Sequence, residues 1–324
     1  MPASTLESSS PDPGSAIAGP ARWPVGAVDA VPISPAAQNY LWDRFRRHRL
    51  AHACLWTLGL LFVVVAFAPF LYRAGVNPVD LHARLAGPTL QHPLGTDDLG
   101  RDMLARILYG GRISIGVGVS VMVLSVAFGV VIGAVAGISR GWVGPALMWI
   151  TDLFLCLPQL PLLLLLVFFF RDPLKKAFGP EVGVFLLMVT VISALRWMPI
   201  ARLVRAQFLS LRERDFVRAA RALGASLPRQ VIRHLLPNAM GPVIVAGSID
   251  VAAAIIAEST LSFLGLGFPP DVPSWGRLLY EARDYLEIAP HWALAPGIAI
   301  AGTVLAVNLL GDGLRDALDP REQV

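Results

Sequence analysis

Asp215-Phe216-Val217-Arg218-Ala219-Ala220-Arg221-Ala222-Leu223-Gly224-Ala225-Ser226-Leu227-Pro228-Arg229-Gln230-Val231-Ile232-Arg233-His234-Leu235-Leu236-Pro237-Asn238 reads as two short helices joined at a glycine. Asp215 suits the N-cap of the first, over 216–223, with Phe216, Ala220 and Leu223 on one face. Gly224 suits the residue after a helix end, where positive φ is wanted. Ser226 suits the cap of the second helix and Pro228 its first turn. Val231, Ile232, Leu235 and Leu236 form its apolar stripe, and Pro237 is expected to stop it. Taken alone, this basic hairpin fits a solvated surface element or a DNA-binding motif. The flanking chain decides between them.

Those flanks are very apolar. The chain of 324 residues is 55% hydrophobic and 15% charged, with mean hydropathy +0.61. A soluble domain carries about 25% charged residues. Long apolar runs favour an integral membrane protein, and the net charge of +4 is then a matter of topology rather than of nucleic-acid binding. The second helix of the hairpin also spends its positions on Val, Ile and Leu, where a base-reading helix needs polar side chains. Cys54 and Cys156 lie inside apolar runs, far apart, and are expected to behave as small buried hydrophobes.

The expected fold is an all-α integral membrane protein with six transmembrane helices. Residues 1–38 are rich in Ser, Pro, Ala and Gly and read as a disordered cytoplasmic tail. Residues 39–112 carry the first span, 51–71, behind the basic cluster Arg44, Arg46, Arg47 and Arg49. A polar connection follows, in which 99–108 reads as a short helix ended by Gly110-Gly111. Asp97, Asp98 and Asp102 invite a calcium reading, but the twelve-residue loop with a distal Glu is missing, and helix capping by Thr96 or an Asp accounts better for them.

Residues 113–324 form a five-helix core, with spans at 113–138, 146–170, 182–198, 241–264 and 292–314 and a coupling loop at 203–240. The first of these is dense in small residues that let helices approach closely. With the N-terminus inside, 17 of the 27 Lys/Arg fall on the cytoplasmic side, nine of them between Arg196 and Arg233. That puts the hairpin and both termini in the cytoplasm. Asp152, Asp250 and Glu258 lie within spans and are candidates for a transport pathway or for helix packing. The loop 265–290, rich in Gly and Pro, is expected to be irregular, with Trp275 and Trp292 at the membrane interface. Pro273 and Trp275 are candidates for contact with an outside partner.

Six spans with a cytoplasmic Ala-Ala-x3-Gly loop resemble the permease subunits of bacterial ABC importers. Ala219, Ala220, Gly224, Leu236 and Pro237 fall on that family's loop pattern, while Arg218 stands where the pattern has Glu and His234 where it has Ile. After residue 40 the chain is similar to the C-type permease of dipeptide/oligopeptide importers. The similarity rests on His92-Pro93-Leu94-Gly95-Thr96-Asp97 through Asp102, Leu261 through Gly267, Pro273-Ser274-Trp275-Gly276, and Asn308 through Arg321.

The resemblance implies an inner-membrane importer subunit, with peptide cargo or, alternatively, a nickel chelate or another small solute. Implied partners are a B-type permease, two ATP-binding cassette subunits and an extracytoplasmic substrate-binding protein. It also implies coupling through Arg218, Ala219, Ala220, Gly224, Val231, Ile232, Leu235, Leu236 and Pro237. The only lysines, Lys175 and Lys176, lie outside any Gly-Lys-Ser/Thr motif, so the sequence offers no P-loop. No cofactor is expected on this chain, and ATP and magnesium belong to its partners. A secondary transporter without an ATPase would need two repeated halves with paired broken helices, and no such halves are visible.

Overall fold

The computed structural model describes residues 49–72 and 74–318; the expectations for 1–38 and for the basic cluster at 44–47 lie outside them. Among the described residues the regular structure is helical, with one isolated bridge between Thr96 and Asp102. The helices are α1 (Arg49–Ala66), α2 (Ala68–Leu71), α3 (Met103–Ile138), α4 (Val143–Leu155), α5 (Gln159–Phe178), α6 (Pro180–Ala194), α7 (Trp197–Arg212), α8 (Asp215–Ala222), α9 (Leu227–Phe263), α10 (Trp275–Ala282) and α11 (Pro290–Leu318).

Three helices, α3, α9 and α11, are each long and apolar enough to cross a membrane. Two further candidates are bent pairs: α4 with α5 at 86°, and α6 with α7 at 41°. The expected single span over 146–170 is therefore broken. Pro158 lacks an N–H and caps α5 in extended conformation, so the ladder stops at Leu155 and restarts at Gln159. The span expected over 182–198 ends at Ala194 and continues after a turn as α7.

The centre of the molecule is α3, packed on α7 and α9, with α11 against α9 and α1. A glycine seam makes the first of these contacts. A Cβ added to Gly129, Gly133 or Gly137 would lie 2.4–2.8 Å from atoms of Trp197, Ile200, Ala201 or Phe208. Glycines four apart on α3 thus bring two backbones together, as the small-residue content led us to expect. Gly110-Gly111 acts the same way. It does not end a helix: α3 runs through it, and the missing side chains make room for Ser274 and the Trp275 ring.

Two ends of the bundle can be distinguished. At one, residues 74–102 and 265–290 fold together into a cap; at the other lies the hairpin of α8 and the start of α9.

Candidate functional site

The hairpin is built by a local device. Gly224 has φ of +81°. The Ala225 N–H donates to the Ala220 carbonyl and the Gly224 N–H to that of Arg221, both at 3.0 Å, which together make a Schellman turn. Arg214, not Asp215, occupies the N-cap of α8, and Asp215 is its first residue, where a negative charge suits the helix dipole. Ser226 is the N-cap of α9 but makes no side-chain cap bond. Pro237 does not stop the second helix. The ladder widens to a π turn at Val231–Leu235, with the Leu236 N–H donating to the Val231 carbonyl, and the wider turn accommodates the proline ring. The hairpin's second helix and the following span are one continuous element.

Burial divides the apolar side chains of the hairpin. Val217 and Leu235 are buried against Ile200, Val204 and Phe208 of α7, with Val231 and Leu236 packed partly on them. Val217 is thus the inward residue of α8, outside the face formed by Phe216, Ala220 and Leu223. Phe216, Leu223, Leu227 and Ile232 are exposed, Leu223 almost fully at 89%. Ala219 and Ala220 are half-buried, and Arg218, Gly224 and Pro237 are exposed. Arg218 is paired within its own chain: its Nη2 lies 2.8 Å from Glu213 Oε2. That bond holds the Glu213 carboxyl below its ordinary range.

The cap end is held by buried charge. Asp97 and Arg106 are fully buried, 3.2 Å apart; Arg101 Nε donates to Asp97, and Arg106 reaches Glu281 at 2.9 Å. Arg101 and Arg277 complete the cluster around Glu281, at 3.3 and 3.0 Å. Asp102 caps α3, accepting from the Ala105 N–H at 2.8 Å, as one of the three aspartates was expected to do. It also accepts from the Tyr72 hydroxyl and meets His92 Nδ1. Burial and the Asp102 carboxylate push Tyr72 up to about 12, so its hydroxyl stays a donor.

The sequence motifs around His92–Asp102 and Pro273–Gly276 thus meet in space. Loop 265–290 is only partly irregular, since α10 occupies Trp275–Ala282. Pro273 and Trp275 are buried, and Trp275 donates from Nε1 to the Ile107 carbonyl and from its backbone N–H to Ser114. The expected contact of these two residues with an outside partner gives way to an anchoring role, because neither is on the surface. Trp292 is likewise buried, its ring 4.9 Å from that of Tyr285 and tilted by 35°, so its side chain does not face lipid headgroups as expected. Cys156, expected to be buried, is exposed at the break after α4.

Each of the three span acids is paired. Asp152 meets Arg202 of α7 at 2.8 Å, both about half-exposed. Glu258 is fully buried in a cage of serines, accepting from Ser262 at 2.7 Å and Ser114 at 3.1 Å, with Ser259 at 3.5 Å. The Ser114 bond ties α9 to α3. Asp250 accepts from Ser125 of α3 and from Arg196 Nε at the turn between α6 and α7. Sequence reasoning left aside Arg196 and Arg202, the partners of Asp250 and Asp152, and likewise Arg106 and Glu281 of the cap cluster. Arg196 carried a visible signal, a lone cation inside an apolar stretch, but counted only as a marker of topology.

A caged carboxylate makes a specific prediction. Glu258→Gln keeps an acceptor for the serines and is expected to leave thermal stability in detergent unchanged. Glu258→Ala strips two hydroxyls of their partner, adds a cavity, and is expected to cost about 2 kcal/mol. Equal losses for both variants would show that the charge, not the hydrogen-bond cage, matters.

Sequence comparison agrees with this architecture. Residues 129–324, well over half of the chain, match the family described as binding-protein-dependent transport system inner membrane component. The chain belongs to that family. Residues 39–88 match the N-terminal TM domain of oligopeptide transport permease C. Among similar proteins, one of Brucella suis, provisionally named a peptide permease, is 41% identical over 297 residues, which cover 91% of this chain and 95% of that protein. The dipeptide transport system permease protein DppC of Alkalihalophilus pseudofirmus is 34% identical over 290 residues, 89% and 91% of the two chains. A membrane permease component of this kind is a transporter subunit rather than an enzyme.

Proposed function

We propose that this chain is the C-type permease of an ATP-driven peptide importer, forming half of the translocation path with a B-type permease. Its relatives' names, peptide and dipeptide permease, support the cargo. Six crossings follow if each bent pair counts once and α1, 18 residues or about 27 Å long, is a span. Arg196 lies at the bend within the α6–α7 pair rather than in a loop, but without it the balance of Lys and Arg still supports placing the hairpin and both termini in the cytoplasm.

The observation that carries the coupling reading is the set of apolar residues left exposed around a rigid Schellman turn. Phe216, Leu223, Leu227 and Ile232 fit the groove of a partner better than they fit water. Two cytoplasmic ATP-binding cassette subunits would supply that groove, together with the ATP and magnesium chemistry for which this sequence has no P-loop. Leu235, buried, and Val231, half-buried, would carry the motion into α7 and α9, while Arg218, Ala219, Ala220, Gly224, Ile232, Leu236 and Pro237 shape the contact. The cap at the other end would receive a substrate-binding protein on its exposed surface.

The test is purification in mild detergent followed by reconstitution. Co-purification of an ATPase and ATP-dependent uptake of a labelled tripeptide are expected. Recovery with no ATPase, or ATP-driven uptake of a nickel chelate with no peptide uptake, would overturn the coupling or the cargo respectively.

A further inference from the structure

The breaks in the two bent spans meet. Gln159, at the start of α5, donates from Nε2 to the Leu195 carbonyl at 3.2 Å, a carbonyl released by the end of α6. The next residue, Arg196, is held by Asp250 of α9, which Ser125 of α3 also holds. Asp250 is the fifteenth of the 28 residues of Leu236–Phe263, and Ser125 lies well inside α3, so this polar hub sits near the middle of apolar spans.

Arg196 spends only part of its donor capacity. Nε faces Asp250, whereas neither Nη group has a hydrogen-bond partner among the described residues. The Arg196 side chain is 25% exposed and Asp250 only 5%. A guanidinium open to lipid at mid-span is costly, so this exposed edge faces a partner protein or a water-filled path. The other two acids differ: Glu258 is enclosed on every side, and Asp152 with Arg202 is half-exposed on the α4–α7 face.

Resting on the peptide-importer reading, we infer that the free Nη groups of Arg196 form a transient binding site for a peptide carboxylate. The guanidinium fork matches a carboxylate with two parallel hydrogen bonds. Asp250 orients the fork and cancels most of its charge. The site therefore holds an anion weakly, which a conduit requires if the cargo is to leave. Its depth excludes a phospholipid headgroup as the ordinary occupant.

The inference is tested on the assembled importer in nanodiscs without its binding protein, by ligand-observed NMR with tri-alanine and tri-alanine amide. Asp250→Asn frees the charge of Arg196. Affinity for the acid is expected to rise about tenfold, one charge-assisted hydrogen bond's worth, with the amide unchanged. The gain should vanish in Arg196→Gln/Asp250→Asn. Ser125→Ala, which loosens Asp250 without removing its charge, should give a smaller gain of the same sign and serves if Asp250→Asn does not assemble. Equal changes for acid and amide, no change for either, or a gain that survives loss of Arg196 would each overturn the site. Uptake of tri-alanine by the wild-type importer is measured separately, so failure of the site and failure of the peptide reading are told apart.

Discussion

Gly224→Asp is expected to abolish ATP-driven peptide uptake, by 100-fold or more, while the permease still assembles with its partners. The two halves of that expectation have different physical sources. A Cβ at Gly224 meets nothing within 4 Å, so the side chain itself is not excluded from the folded hairpin. The backbone is the cost: at φ of +81° an L-residue is strained by about 1–2 kcal/mol, and Asp is among the residues that bear it best. That is too little to unfold a helix start continuous with a 37-residue element. The functional damage comes from placing a carboxylate between Leu223 and Leu227, in the exposed apolar surface proposed to enter the ATPase groove.

Gly224→Ala separates the two contributions, since it carries the strain without the charge. It is expected to lower uptake only a few-fold. Uptake and co-purified ATPase are the measurements. Wild-type uptake by Gly224→Asp would end the coupling proposal, and Ala and Asp variants equally inactive would assign the effect to backbone strain. Arg218→Ala is the control on the same surface: its pair with Glu213 is exposed and screened, and no measurable loss of stability is expected.

What the sequence revealed depended on how local the cause was. The turn at Gly224 was legible because a Schellman motif closes within six residues and needs only the glycine. Pro237 was misread because its effect depends on whether the preceding turn is α or π, a matter of how Val231 and Leu235 pack on α7. Gly110-Gly111 looked like punctuation; its purpose becomes visible only with Ser274 and Trp275, more than 160 residues away, resting on it. Trp275 carried the same ambiguity from the other side. An aromatic flanked by Pro and Gly suits a membrane interface or a buried anchor equally well until its indole N–H finds the Ile107 carbonyl. Likewise, the acids Asp250 and Glu258 could be picked out by type, but whether they face a cation or a cage of serines is a tertiary fact.

Arg106→Met is expected to release the cap. The methionine fills much of the space left by the arginine stem, so packing changes little and electrostatics decide the result. Without the guanidinium, buried Asp97 and Glu281 lose the cation between them, and breaking a buried pair from one side costs about 3–5 kcal/mol. Arg101 still reaches both acids and Arg277 still holds Glu281, which favours the lower end of that range. The Pro270 carbonyl also loses its donor, 3.3 Å away, so the loop leading to Trp275 is loosened at the same time. Thermal denaturation of the purified complex should therefore show a lower first transition. Limited proteolysis should cut residues 84–98 sooner, while the α3–α7 seam, held by glycine contacts on the far half of α3, stays protected. A loss below about 1 kcal/mol would mean that burial of Trp275 and Trp292, not the charge cluster, holds the cap. Asp97→Asn/Arg106→Met, which removes both a charge and its partner, is expected to recover part of the loss, because the largest cost in the single variant is a carboxylate buried without its cation.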